Sequence, residues 1–292
     1  MNYFSEFHPI VNFLYFMAVM LFSMFLLHPV FIVISFVTGF LYLCTFGGVG
    51  TALKSIRFPF VIAVIAAVLN PVFNHRGMTI LFYNRIGNPI TKESILFGIF
   101  MGVMLMAVMV WFMCYNRVMT SDKFIYLFGR ILPRFSLVIS MTLRYIPRFK
   151  EQFGKIRRSR KAIGKDISDG NLLSRLRNMA SIFSIMISWS LENSVETADS
   201  MKARGYGLKG RTAFHIYRFS KRDIGPLCVV IVASATLIFG FVREKLSYSY
   251  YPLFNTELFE TDMIAYYMVF AILCLIPVIL NQIYAKKYKA GK

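Results

Sequence analysis

The tripeptide Ala203-Arg204-Gly205 is the sharpest chemical feature of the chain. One Arg stands between two small residues at the end of a helical stretch. Small neighbours let a partner's backbone come close, and a guanidinium forms bidentate hydrogen bonds to a carboxylate. That chemistry suits a helix tip inserted into a groove of another protein. A second reading stands beside it: a C-terminal Arg that complements the helix dipole, followed by a glycine cap. Upstream on the same stretch, Glu192, Glu196 and Asp199 share one stripe at helical spacing. Lys155, Arg157, Arg158, Arg160, Lys161 and Lys165 make an earlier helix basic. If the two helices cross, Glu192, Glu196 or Asp199 meets Lys155, Arg158 or Lys161. Otherwise both charged faces are solvated, and surface ion pairs contribute only about 0–1 kcal/mol.

Catalytic and ligand motifs are absent from the sequence. No G-x-x-x-x-G-K-[ST] loop occurs, so the chain is not expected to hydrolyse ATP. Gly205, Gly207 and Gly210 spell G-x-G-x-x-G. They close a helix, whereas the dinucleotide fingerprint follows a strand and opens one. His8, His28, His75 and His215 are far apart, and there is no Cys/His metal spacing. Cys44, Cys114, Cys228 and Cys274 lie inside apolar stretches and read as small core residues. No catalytic residue, cofactor or metal is expected in this chain.

The elements that carry these residues follow from composition. Of 292 residues, 57% are hydrophobic and 16% charged. An ordinary soluble domain is about 45–50% apolar and about 25% charged. A soluble enzyme, a disordered chain and a disulfide scaffold are disfavoured, and a multi-span membrane protein is favoured. A crossing helix needs about 20 mostly apolar residues. Between Glu6 and Lys54 there is no charged residue, and His28-Pro29 divides that run into two. Six spans are expected, near 10–27, 29–46, 58–73, 94–115, 224–242 and 263–284. The expected fold is an all-α integral membrane protein, with about four spans in 1–115, a cytoplasmic helical module in 116–223, and two spans with a basic tail in 224–292.

Charge orients it. The net charge is +19, and residues 116–223 carry 22 Lys and Arg against 8 Asp and Glu. Cytoplasmic loops carry the excess of Lys and Arg. Lys54, Arg57, the basic insert and the tail Lys286, Lys287, Lys289 and Lys292 then all face the cytoplasm, with both termini. The N-terminus lacks a positive n-region and a small-residue cleavage site, so the first span is expected to be retained. No span carries a charge at its centre, which argues against an ion pump or a self-contained proton-coupled transporter. Gly98 and Gly102 form a small-xxx-small pair suited to close helix packing.

The insert reads as a helix near 122–130, a break at Leu132-Pro133, a long helix kinked or interrupted at Pro147 and stopped at Gly164, and an amphipathic helix from about Ser174 to Arg204. Ile182, Ile185, Met186, Trp189 and Val195 share one face of the last. Anionic lipid accounts for some of the positive charge. A docking surface for an acidic cytoplasmic partner accounts for both the charge and the long apolar helices. Nucleic acid is not expected, since no aromatic-basic platform accompanies the charge.

Three segments in order resemble the transmembrane (T) component of energy-coupling factor transporters, the vitamin and metal-ion importers of prokaryotes. They are Asn70-Pro-Val-Phe-Asn-His-Arg-Gly77 with Leu81-Phe-Tyr83 and Gly87-Asn-Pro89; Leu143-Arg-Tyr-Ile-Pro-Arg148; and Glu196 through Tyr206 with Arg211-Thr212 and Tyr217-Arg-Phe219. The resemblance implies a non-catalytic coupling subunit in a prokaryotic cell membrane. Its partners would be two ABC-type ATPases, which bind the ATP and magnesium, and a membrane-embedded S component, which binds the substrate. Two long crossed coupling helices would each end in a short motif with a central Arg that docks in an ATPase groove. Ala203-Arg204-Gly205 matches the second motif. The first falls at Ala162-Ile163-Gly164, where Ile replaces the Arg. Either that tip docks by packing, or Arg160 or Lys161 supplies the cation. Two rivals remain at this point: a conventional ABC permease that forms the translocation path itself, and a membrane enzyme built on His75, Arg76 and Arg85.

Overall fold

Two His-Pro dipeptides open the first two helices. Pro9 begins α1 (Pro9–Phe25) and Pro29 begins α2 (Pro29–Phe73). Proline is tolerated there because the first helical N–H has no partner to lose. The preceding histidine caps each helix: Nδ1 of His8 accepts from the Ile10 N–H, and Nδ1 of His28 from the Val30 N–H, both at 3.3 Å. The computed structural model describes residues 3–74, 76–83, 89–129, 133–168, 171–206, 217, 219–243, 245–246, 248–251 and 261–290. Its other elements are a 3-10 helix (Tyr3–Glu6), β1 (Ile80–Tyr83), β2 (Pro89–Thr91), α3 (Lys92–Val118), α4 (Ser121–Gly129), α5 (Pro133–Ala162), α6 (Leu172–Ala203), α7 (Lys221–Val242) and α8 (Thr261–Ala290). Of the residues singled out above, Leu132, His75, Arg85, Gly87, Asn88, Gly207, Gly210, Arg211, Thr212, His215, Arg218 and Lys292 lie outside the described residues.

α2 contains a reversal. Gly47 and Gly48 leave helical geometry, Gly48 with a φ of 76° that favours glycine. Near the end of α3, Trp111 meets Ser35 and Gly39, and Arg117 lies over the Phe46 ring at 5.4 Å. Numbers there rise together, so the segments run parallel. Near the start of α3, Gly98 meets Ala67 and Gly102 meets Ala63, which is antiparallel. The chain therefore turns back at the two glycines, and α2 has two arms, 29–46 and 49–73. These arms take the place of the second and third expected spans, without the longer loop that reading placed between them. Lys54 and Arg57 lie in the first turns of the second arm.

By length and composition α2, α3, α7 and Met263–Lys286 of α8 can cross a membrane, and α1 is a shorter apolar helix of 17 residues. The chain is an all-α multi-pass membrane protein carrying one small hairpin. In that hairpin β1 pairs antiparallel with β2, Ile80 opposite Thr91 and Tyr83 opposite Pro89. The all-α reading had no strands there.

The structure divides into a unit of residues 1–124 and 217–292 and a second unit of residues 125–216. The insert is narrower than the expected 116–223 because its flanks belong to the first unit. Lys123 shows why: its buried Nζ donates to the carbonyls of Val118, at 3.0 Å, and Ser5.

Aromatic rings build the core of the first unit. Phe4 is fully buried and meets Tyr15 edge-on at 5.1 Å. Tyr15 and Trp111 pair their polar atoms with backbone carbonyls, as an apolar surround favours. The Tyr15 hydroxyl donates to the Cys274 carbonyl at 3.1 Å, and Trp111 Nε1 to the Ser35 carbonyl at 3.2 Å. Cys114 and Cys274 are buried as expected, Cys44 is half-buried, and Cys228 is exposed on α7.

One end of this unit gathers the chain's start, the start of α7 and the end of α8. The Phe4 N–H donates to Asn281 Oδ1 at 2.9 Å, and the His8 N–H to Asp223 Oδ1 at 3.2 Å. Arg222 donates to the Glu6 carbonyl at 3.1 Å. A side-chain hydrogen bond joins Tyr217 to Thr120, so the chain leaves for the insert and returns from it at neighbouring points of this end.

Candidate docking site

The site is on the insert, on α5 and α6. Both helices are long because their sequences hold an apolar stripe with few breakers. α5 starts on Pro133 and continues as helix through Pro147, where the sequence suggested a kink or an interruption. α6 follows Asn171. The helices run antiparallel: Tyr145, early in α5, meets Thr197, late in α6, hydroxyl to hydroxyl at 2.6 Å. Phe149 meets Trp189 edge-on at 5.3 Å. Ile156 and Ile182 are the buried hydrophobic side chains of this unit among the described residues.

The acidic stripe of α6 and the basic stripe of α5 have local partners or face solvent among the described residues. Lys155 pairs with Glu151 on its own helix at 2.8 Å, and Asp199 lies 3.9 Å from Lys202. Arg158 Nε donates to the Gly154 carbonyl at 3.2 Å. Glu192 and Glu196 are exposed, as is Lys161. Among the described residues no ion pair links Glu192, Glu196 or Asp199 to Lys155, Arg158 or Lys161, so of the two alternatives the structure follows the one with solvated charged faces. The physical reason is that the contact faces carry aromatic and hydroxyl groups, which leaves the charged stripes to solvent and to local partners.

A carboxylate that sequence reasoning passed over organises the link between the helices. Asp166 is buried. It accepts hydrogen bonds from the Ser168 hydroxyl at 2.7 Å, from Arg157 Nε at 3.2 Å and from the Ile167 N–H at 2.8 Å. Its carbonyl accepts from Asn178 Nδ2 at 3.0 Å, which ties the link to α6. The Ser168 hydroxyl foremost, then Arg157 and the Ile167 N–H, hold the carboxyl down to about 2. The signal was the spacing Asp166-Ile167-Ser168, which lets an Asp side chain bond the backbone just after it.

The two tips have the same backbone. Gly164 has a φ of 71° and Gly205 of 79°. The N–H after each glycine reaches back five residues: Lys165 to the Arg160 carbonyl and Tyr206 to the Met201 carbonyl, both at 3.0 Å. Each glycine N–H reaches back three, Gly164 to Lys161 at 3.0 Å and Gly205 to Lys202 at 2.9 Å. These are paired Schellman-type caps, and glycine supplies the left-handed position without steric cost. Ala162 and Ala203, and Ile163 and Arg204, therefore hold equivalent places, and all four are exposed. Arg160 is half-buried, with its Nε enclosed. The N-terminal half of α6 presents an apolar face: Leu176, Met179, Phe183 and Ile187 line an open cleft of about 550 Å³. Of the proposed enzyme's residues, Arg76 alone is described. Its backbone N–H donates to Asn74 Oδ1 at 3.4 Å and it is exposed.

The family described as CbiQ, cobalt transport protein, matches residues 4–216. The chain is 36% identical over 104 residues to the energy-coupling factor transporter transmembrane protein EcfT 1 of Listeria monocytogenes, covering 35% of this chain and 39% of that one. It is 33% identical over 104 residues to EcfT of Lactobacillus helveticus, covering 35% and 38%. It is 27% identical over 205 residues to EcfT of Acidaminococcus fermentans, covering 66% and 75%. The chain thus spans about two fifths of the length of the first two relatives. The family match over most of the chain, the apolar helices and the relatives so named agree. The chain belongs to the CbiQ family, and the relatives it matches are transmembrane proteins of energy-coupling factor transporters.

Proposed function

We propose that this chain couples two cytoplasmic ABC-type ATPases to a membrane-embedded S component. The observation that carries the reading is the pair of long helices ending in one capped, exposed turn at Gly164 and at Gly205. Two equal turns suit two ATPase grooves. The tips are Ala162-Ile163-Gly164, with Arg160 and Lys161 beside it, and Ala203-Arg204-Gly205. The exposed apolar face of α6 suits an S component, since adaptable Met, Phe and Leu contacts accept different partners. ATP and magnesium belong to the ATPases. The chain itself acts as a non-catalytic transmitter, and the S component chooses the vitamin or metal ion. The end that carries Lys54, Arg57, Arg117 and Arg222 faces the cytoplasm of a prokaryote, with both termini.

Reconstitution tests this. Vesicles holding the chain, its ATPases and a small substrate-binding membrane protein should take up substrate only with ATP and only when all components are present. Uptake by the chain and ATPases alone would make it a conventional permease.

A further inference from the structure

β1 is the outward strand of its hairpin, and all four of its side chains are apolar or aromatic. Ile80, Leu81, Phe82 and Tyr83 are between 48 and 65% exposed. β2 turns inward instead: Ile90 and Thr91 are buried. The hairpin is tied to the start of α3. Thr79 Oγ1 donates to Glu93 Oε1 at 2.6 Å, the Lys92 N–H to the Thr79 carbonyl at 3.0 Å, and Thr91 Oγ1 to the Arg76 carbonyl at 2.8 Å. Gly77, at a φ of 136°, lets the chain pass close: a Cβ there would lie 2.6 Å from Glu93 Oε2. The exposed strand is therefore a fixed surface, held out by a built anchor.

Neither water nor the hydrocarbon core suits that strand. In water, an open edge of apolar side chains without a charge invites pairing with another chain. In the core, the unpaired N–H and C=O groups of a two-stranded sheet have no partner. The headgroup layer satisfies both demands, because the backbone reaches water while the side chains reach acyl chains. The neighbouring surface continues the same pattern. Val68, Leu69, Val72 and Phe73 are exposed at the end of the second arm of α2, a membrane-crossing helix, and lead to the exposed Met78 and then to β1. Arg76 and Lys92 are exposed beside them, and cations at that level attract lipid phosphates. An open cleft of about 560 Å³ is lined by Arg76 and Asn74 past the end of the arm and by Ala66 and Leu105 further along the two helices. A cationic mouth over apolar walls has the polarity of a phospholipid. We propose that β1 is an interfacial anchor, its side chains seated among the headgroups and upper acyl chains of membrane phospholipid.

Fluorescence of the full chain reconstituted in phospholipid vesicles tests this. Phe82→Trp adds one indole, and the difference from the unchanged chain, which holds Trp111 and Trp189, reports that indole alone. Phospholipid brominated near the headgroup should quench it by about twofold, and more strongly than phospholipid brominated near the chain ends. Aqueous iodide should quench it less than the headgroup-level bromine does. Quenching by iodide without quenching by bromolipid puts the strand in water and overturns the inference. Quenching by neither means that protein covers the strand, and stronger quenching from the chain ends puts it in the core; each overturns the inference as well. If Phe82→Trp does not fold, Tyr83→Trp on the same strand gives the same reading.

Discussion

Gly102 lies against the backbone carbonyl of Ala63: a Cβ at position 102 would sit 2.6 Å from that oxygen. One turn earlier, a Cβ at Gly98 would sit 2.8 Å from the Ala67 carbonyl. Backbone blocks both places, so no side chain can swing away. The second arm of α2 and α3 can approach this closely only because both positions lack a side chain, the usual device where apolar solvent supplies no hydrophobic drive.

Gly102→Val should therefore destabilise the chain by about 1–3 kcal/mol, the range for overpacking. Gly154→Ala is the control: nothing lies within 4 Å of its Cβ site, and it is inside α5. It should stabilise by about 0.5–1 kcal/mol. Thermal unfolding in detergent, with both variants side by side, checks the two signs.

Arg204→Glu should cut ATPase recovery with the purified chain at least tenfold, because reversing one member of a desolvated charge pair costs about 2–5 kcal/mol. The residue is exposed, so the fold should be unaffected. Ile163→Asp should also weaken recovery. Quantitative mass spectrometry of the co-purified proteins reads both, and unchanged recovery for Arg204→Glu would remove that residue from docking.

Asp166 gives the insert an acid dependence. Its folded carboxyl sits near 2 against an ordinary 3.8, so the clasp contributes fully above the ordinary value and is lost as pH falls through the folded one. The segment from Lys165 to Ser168 should become protease-sensitive between about pH 4 and 2. Asp166→Ala should be cut there at neutral pH. Pepsin at low pH and trypsin at neutral pH report the two cases.

Lys123 holds the start of α4 to the 3-10 helix through the Ser5 carbonyl and to the end of α3 through the Val118 carbonyl. Burial pushes its ammonium down from the usual lysine range. Lys123→Met removes the donor to both carbonyls and should cost about 1–3 kcal/mol. Because the folded value is lowered, the native ammonium opposes folding more as pH falls through that value. The wild type should gain stability as pH rises from the folded value toward 10.5, and the Met variant should lack that gain. Unfolding midpoints across alkaline pH check this.

Uncharged runs made α1, α3, α7 and α8 legible, because apolar length has one use in a membrane. The Ala-x-Gly endings of both long helices were legible as stops, since only glycine takes the left-handed cap cheaply. The end of the second span at 46 was legible, but the tightness of the reversal at Gly47-Gly48 was not, because a two-residue turn leaves almost no polar mark. Charge misled the reading of α5 against α6. Complementary stripes on two helices look like a pair, yet Phe149, Trp189, Tyr145 and Thr197 make the contact. Asp166 was passed over because a lone Asp in a link has many solvated uses, and only tertiary placement buries this one.

The most direct measurement is affinity purification of the tagged chain from native membranes in mild detergent, with every partner identified by mass. Recovery of ABC-type ATPases together with a small hydrophobic protein is the expected result. Recovery of the chain without any ATPase, under conditions that preserve a control complex, would contradict the coupling role.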